Sequence, residues 1–385
     1  MTSKSRRMSN LDPPRRPLLL VSVDALNLNF LGPYGCTWLP TPGFDELAAH
    51  GVTFDQTIVS NLSLEASLAN LANAMPVAQV SFMTDDAATS TWVNQQGFSN
   101  VDVIQTETTD PPAASLETTA MFRSVQHALT AFRASQPLPL YWLHLGSLRS
   151  TWDAPISMRE NLFDEELGDP PVWSRPESTN EPVELDADDR LRWQVCYGAQ
   201  IQCLDFCVQW IVREANDWPV TPLIVLVGSR GCNLGGHGTI LDDSIWSENC
   251  HVPCIIADVR RQDCHRLPPL TSLAGIGAWI SRVIAGKQEL PSEYSEASDP
   301  GRVETADRLV IQSSKERALR TDHWFLRLPS RGLPQLFVKP DDRHEINELS
   351  SRLPEITQEL KKVAEQVYDA TNTEPLLKIP EVPSE

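Results

Sequence analysis

No apolar run in this 385-residue chain is long enough to cross a bilayer. The first, Leu18 to Val23, stops at Asp24, whereas a membrane helix needs about 20 apolar residues. The basic, polar stretch before it, residues 1–16, also lacks the apolar centre of a signal peptide, so we expect a flexible N-terminus and no membrane partner. A basic excess is missing too. Lys and Arg number 32 against 51 Asp and Glu, a formal net charge of -19. Nucleic acid, held by clustered cations, is therefore not an expected partner. Much of the acid excess falls between Asp164 and Asp189 and reads as a solvated surface segment. Paired cysteines are absent as well. The eight cysteines include no CxxC spacing, which points to reduced thiols and a cytoplasmic protein. Cys203 and Cys207 lie four apart near Cys196, but without a second ligand pair they read as small buried residues rather than zinc ligands.

What is present is alternation. Short runs rich in branched residues recur at Leu18–Val23, Gln79–Met83, Leu140–Leu145, Leu223–Val227 and Cys254–Ala257, separated by segments with helical spacing. That pattern predicts an α/β fold with a mostly parallel central sheet flanked by helices. One helix is expected between Thr41 and Gly51, another over Trp193 to Ala215. The apolar stretches HWFLRLP and PQLFVKP, with a Ser330-Arg331-Gly332 turn between them, predict a hairpin in a small C-terminal antiparallel α+β subdomain, capped by a helix over Ile356 to Tyr368. The expected organisation is a main domain over 17–287 with an acidic loop at 161–190, a linker over 288–305, the subdomain over 306–370, and a loose tail over 371–385.

Four blocks carry a resemblance. LLLVSVDALNLNFLGPYG with TPGFDELAAHGVTF opens the chain; LIVLVGSRGCNLGGHG spans Leu223 to Gly238; a strand follows Glu248; ALRTDHWFLRLP and QLFVKPDDRHEINEL close it. In that order they resemble the formylglycine-dependent sulfatases of the alkaline-phosphatase superfamily. The resemblance implies an alkaline-phosphatase-like fold, a cysteine- or serine-derived formylglycine nucleophile, and a calcium ion held by acidic groups after the first and a later strand.

The residues at the matching positions do not fit that chemistry. Leu64 falls at the nucleophile, Ala66 at the motif proline and Leu68 at its arginine. Asp24 remains as one metal ligand, followed by Ala25, with Asn29 where many relatives carry a further aspartate. Ser229 and Arg230 replace the later ligand pair, placing a permanent cation where an ion would bind. Ser147 and Arg149 replace an aspartate and a histidine, and Asp242 replaces a lysine; His237 matches. No metal or cofactor is expected, with calcium the alternative if the family site survives. A pairing of Arg230 with Asp24 would substitute for the ion structurally.

The leading expectation is a sulfatase-like pseudoenzyme with a binding or regulatory role toward a protein partner or a small anion. One alternative is a sulfuric or phosphate ester hydrolase with an altered site, Ser67 and His237 its candidate catalytic residues. The other is an anion-binding module using Asp24, Arg149, Arg230 and His237. Both candidates also have plain structural readings, Ser67 as a helix-start or surface serine and His237 as a loop residue.

Overall fold

The computed structural model describes residues 16–383 except 74, 99, 106–111, 136, 164–167, 171–177, 179–185, 287–302 and 370–374. Eight strands form the main sheet: β1 (Leu18–Val23), β2 (Gly51–Ile58), β3 (Val80–Thr84), β4 (Asn100–Val103), β5 (Leu140–Leu145), β6 (Leu223–Gly228), β7 (His251–Ala257) and β8 (His265–Ser272). Their spatial order is β4-β3-β5-β1-β6-β7-β2-β8. All pairings are parallel except those of β7 with β6 and β2. The central strands β1, β5 and β6 are buried at every position because helices cover both faces, as a parallel sheet requires.

Alternate residues feed two cores. Leu19, Val21 and Val23 of β1 pack with Tyr141, Leu143 and Ile224 against the helices Pro42–Ala49, Ala120–Ala134 and Ala187–Asn216. Leu18 and Leu20 face the other way, with Trp142, Val225 and Cys254, toward the helices Leu64–Ala72 and Leu273–Ile284. The buried cysteines are core residues, as their spacing suggested: all eight are free thiols, and Cys196, Cys203 and Cys207 lie on one buried helix.

A second, antiparallel sheet of order β12-β11-β10-β9 follows: β9 (Arg308–Gln312), β10 (Glu316–Thr321), β11 (Trp324–Pro329) and β12 (Gln335–Val338). The predicted hairpin is β11 with β12. The helix Pro354–Tyr368 packs Leu360 and Val363 on Trp324, Leu326 and Leu336. The two sheets are joined at Asn61 and Gln312, which form a bridge, and through the Gln312 amide bonded to the Ser60 carbonyl at 2.9 Å.

The strand β2 was not foreseen, since Gly51–Phe54 read as the end of a helix block. It pairs with β7 and β8 across a bulge after Phe54. The Tyr34 hydroxyl serves the backbone at that place, donating toward the carbonyls of Phe54 at 3.2 Å and Cys254 at 3.0 Å and accepting from the Cys254 amide at 2.8 Å.

Several expected boundaries shift. Arg16, assigned to the flexible N-terminus, binds both oxygens of Asp258 at 2.6 Å; the rest of that stretch lies outside the described residues. The end of the acidic loop, from Ala187, begins the long helix, because Asp186 caps it through the Asp188 amide. The end of the linker is built in: Val303 is buried and Thr305 bridges Thr271. The tail is not loose over 375–380. Trp324 donates its indole N–H to the Pro380 carbonyl at 2.7 Å, Arg308 reaches the Leu377 carbonyl at 2.7 Å, and Ile379 joins the subdomain core. The segment docks because an indole N–H in an otherwise apolar core needs an acceptor. Ending the chain at residue 374 is expected to lower stability by about 1–2 kcal/mol, read as a lower urea midpoint; an unchanged midpoint would show the tail idle.

Candidate functional site at the strand ends

In an open parallel sheet, side chains at the carboxyl ends of neighbouring strands converge. Here β3, β5, β1 and β6 are adjacent, and they end in Asp85, His144, Asp24 and Arg230. Asp24 is 2 % exposed. Arg230 donates to both of its oxygens, Nε to Oδ1 at 2.8 Å and Nη2 to Oδ2 at 2.6 Å. Burial alone would raise the Asp24 carboxyl, but the Arg230 guanidinium outweighs it and holds the pKa below the usual aspartate value. The third Arg230 nitrogen donates to the Leu62 carbonyl at 3.0 Å, just ahead of the helix that begins at Leu64, and lies 3.6 Å from Asp243.

The turn that carries this pair is fixed from several directions. Ala25 sits at a positive φ of 59°, a conformation costing of order 1 kcal/mol for a residue with a Cβ. Its amide donates to Asp24 at 3.0 Å and its carbonyl accepts from the Tyr197 hydroxyl at 2.6 Å. After Arg230, a Cβ on Gly231 would run into the Glu248 backbone carbonyl, so the chain there must be bare. Both sides of the ion pair are thus set by backbone that cannot easily move.

Whether these residues fit a calcium ion follows from their donors. Calcium takes about 6–8 oxygen ligands. Both Asp24 oxygens are taken by Arg230. The Asn27 oxygen accepts from the Asn29 amide at 2.9 Å, and the Asn29 oxygen accepts from Arg343 at 2.8 Å. Among the described residues no group of three or more His, Cys, Asp or Glu is placed to hold a metal. The donor set does not fit the ion.

The remaining expected residues divide between two places. Arg149 is at the strand-end centre: it donates to the Leu241 carbonyl at 2.8 Å and reaches Asp243 at 3.4 Å. Leu64, at the nucleophile position, is the first residue of its helix, and Leu68 is buried in the core below. Ser67 is not a surface or helix-start serine. It is fully buried one turn into the helix and donates its hydroxyl to the Asn61 carbonyl at 2.9 Å, which leaves it no base to activate it. His237 does not join the centre. Its ring stacks on Trp246, centroids 3.6 Å apart, and its Nε2 lies 3.8 Å from Glu345. Burial first, then Arg327, depress its pKa to about 4, so it is neutral at pH 7. Asp242 accepts from Asn233 at 2.8 Å and from Ser244 at 2.8 Å and serves a loop, not a ligand.

Three residues at the centre escaped the sequence reading. His144, the penultimate residue of β5, is fully buried, its Nδ1 2.9 Å from Ser22 Oγ, while Nε2 has no hydrogen-bond partner. The Ser22 oxygen also accepts from Trp142 at 2.8 Å, so Trp142, Ser22 and His144 form one buried chain whose Ser22–His144 direction follows the ring's tautomer. Burial lowers the His144 pKa against the pull of Asp24. Asp85 is pushed up to about 6 by burial, despite the Gly146 amide donating to it at 2.6 Å. Asp243 faces both arginines. The signal for the first two was available: a polar residue one or two positions past an apolar run marks a strand end.

No protein-family model matches the chain, and no curated protein does. Solved structures do match. The phosphonate monoester hydrolase of Agrobacterium radiobacter is 12% identical at a TM-score of 0.70, covering 90% of this chain and 94% of that one. The fold is alkaline-phosphatase-like. BT1596, a 2-O GAG sulfatase, is 15% identical at a TM-score of 0.67, with 92% of each chain covered. A protein in the alkaline phosphatase superfamily from Vibrio parahaemolyticus is 12% identical at a TM-score of 0.53, covering 90% of this chain and 88% of that one. The chain is structurally similar to sulfatases and phosphonate monoester hydrolases of that superfamily at low sequence identity, and the likeness is one of fold.

Breaking the buried pair from one side is expected to be costly. Asp24→Asn leaves the buried guanidinium with only the exposed Asp243 at 3.6 Å and should lower stability by about 3–5 kcal/mol, measured by urea unfolding, whereas a double change of Asp24→Leu with Arg230→Met should cost distinctly less. Because the folded pKa of Asp24 lies below its unfolded one, its contribution is complete above about pH 4 and is lost as pH falls through the folded value. Acid unfolding of the double variant should therefore start from a shallower slope than that of the native chain.

Proposed function

We propose that this chain is a sulfatase-like scaffold whose strand-end centre no longer hydrolyses esters and which serves a binding or regulatory role toward a protein partner. The observation that carries this reading is the Asp24–Arg230 ion pair. A transition state of sulfuryl or phosphoryl transfer needs a nucleophile and fixed positive charge directed at the departing oxygens. At this centre the positive charge is spent on Asp24, the nucleophile position is Leu64, and the nearby serine hydroxyl of Ser67 is buried and bonded to a carbonyl. Groups that act as a unit are not replaced one at a time. Loss of several together leaves the fold and removes the chemistry.

The two arginines that suggested an anion module are also engaged, Arg230 by Asp24 and Arg149 by the Leu241 carbonyl and Asp243. A sulfate at this place would have to displace protein acceptors that are already well placed. A cytoplasmic location belongs to the same proposal and rests on the eight free thiols.

Purified protein assayed with aryl sulfate and aryl phosphate esters, with and without calcium, is expected to show no turnover above the Arg230→Ala variant. Calcium is expected to leave the unfolding temperature unchanged. Turnover that EDTA abolishes, or a calcium-dependent rise in Tm, would overturn the proposal.

A further inference from the structure

A cavity of about 380 Å³ lies between the β2 side of the main sheet and the C-terminal sheet, and none of Asp24, Arg149 and Arg230 lines it. Four cations do: Arg266, Arg320, Lys339 and Arg343. Asp55 is the one carboxylate on its wall, and it is paired with Arg266 at 2.5 Å. Lys339 is paired with buried Glu345. The neighbouring carboxylate Glu316 is taken by Arg327 at 2.6 Å. That leaves Arg320 and Arg343 without a carboxylate within salt-bridge distance among the described residues.

Arg320 is the telling case. It is the penultimate residue of β10, is 4 % exposed, donates through Nη2 to Gln56 at 2.6 Å, and has no hydrogen-bond partner at Nη1. An isolated buried charge is costly, and in a chain of net charge -19 a carboxylate partner is not scarce. Burial lowers its pKa only to about 10, so it stays charged at neutral pH. Arg343, exposed at the rim, spends its guanidinium on neutral acceptors, Asn29 and the Tyr34 carbonyl. His251, also on the wall, is driven to about 3 by burial and adjacent Arg320 and is neutral. The four cations of the wall therefore exceed Asp55, Glu345 and the nearby Asp322, which also acts on Arg320, by one positive charge.

We propose that this cavity is a binding site for a small oxyanion, a phosphate, sulfate or carboxylate carried on a compact molecule, with Arg343 and Arg266 at its mouth and Arg320 supplying charge from behind. The volume is in the range of small-ligand sites, and guanidinium groups suit tetrahedral and planar oxyanions by paired donors. The site goes beyond the proposal of a silent strand-end centre: it stands whether or not that centre hydrolyses esters.

Inorganic phosphate, sulfate and citrate are the probes, titrated by calorimetry and by thermal unfolding at constant ionic strength. Saturable binding of one or more is expected, weakened at least about tenfold by Arg343→Gln and unaffected by Arg331→Gln on another face. Arg320→Met is expected to raise the unliganded unfolding temperature, since it removes an uncompensated charge, and to abolish the rise produced by the anion. The proposal is overturned by absence of saturable binding in native protein, by binding that survives both Arg343→Gln and Arg320→Met, or by an Arg320→Met protein that is merely destabilised and still responds to the anion. Loss of binding on Arg230→Ala instead would move the anion to the strand-end centre and equally overturn the assignment.

Discussion

The bond between Arg230 and Asp24 sets the electrostatics at the ends of β1, β5 and β6. A carboxylate at 2 % exposure cannot stay charged without a cation, a part that the resemblance to the sulfatases would give to a divalent ion. A guanidinium differs from such an ion in three ways. It carries one charge, it is tethered to the chain, and it satisfies both carboxylate oxygens in a single plane. The first two differences remove surplus charge and any dependence on a soluble ion. The third leaves no open coordination position at which a substrate oxygen would be polarised. The same residue that balances the buried carboxylate thereby occupies both of its oxygens.

Much of this was legible in the sequence, and the reason is physical. Parallel strands buried on both faces leave unbroken apolar runs, so β1, β5 and β6 were visible at nearly their final bounds, and the hairpin of β11 and β12 was marked by its turn. The exchange of Arg230 for a ligand was legible because charge reversal at a strand end has one obvious partner. β2 was not. Its run Gly51–Ile58 is interrupted by Asp55 and Gln56 at a bulge, which breaks the apolar signature that betrays a buried strand.

His237 and Ser67 were misplaced for a different reason. Each was located from its place in a motif, but the side chain's destination depends on which acceptors and rings the fold sets around it. His237 stacks its neutral ring on Trp246 and lies beside Glu345; Ser67 turns inward because a hydroxyl one helical turn from the start can reach the carbonyl of Asn61. The tail was misread likewise: its prolines and glutamates suggest exposure, yet a single indole donor at Trp324 gives its backbone a place to dock.

The phenol of Tyr34 has a further bearing on motion. It belongs to the loop after β1, but its hydroxyl is spliced into the seam of β2 and β7 where the bulge would otherwise leave peptide groups unmatched. That loop also supplies Asn29 and the Tyr34 carbonyl to Arg343. Swinging the loop aside would unmake a seam of the main sheet, so the segment joining the strand-end centre to the basic cavity behaves as a rivet, and the cavity wall on that side is already formed.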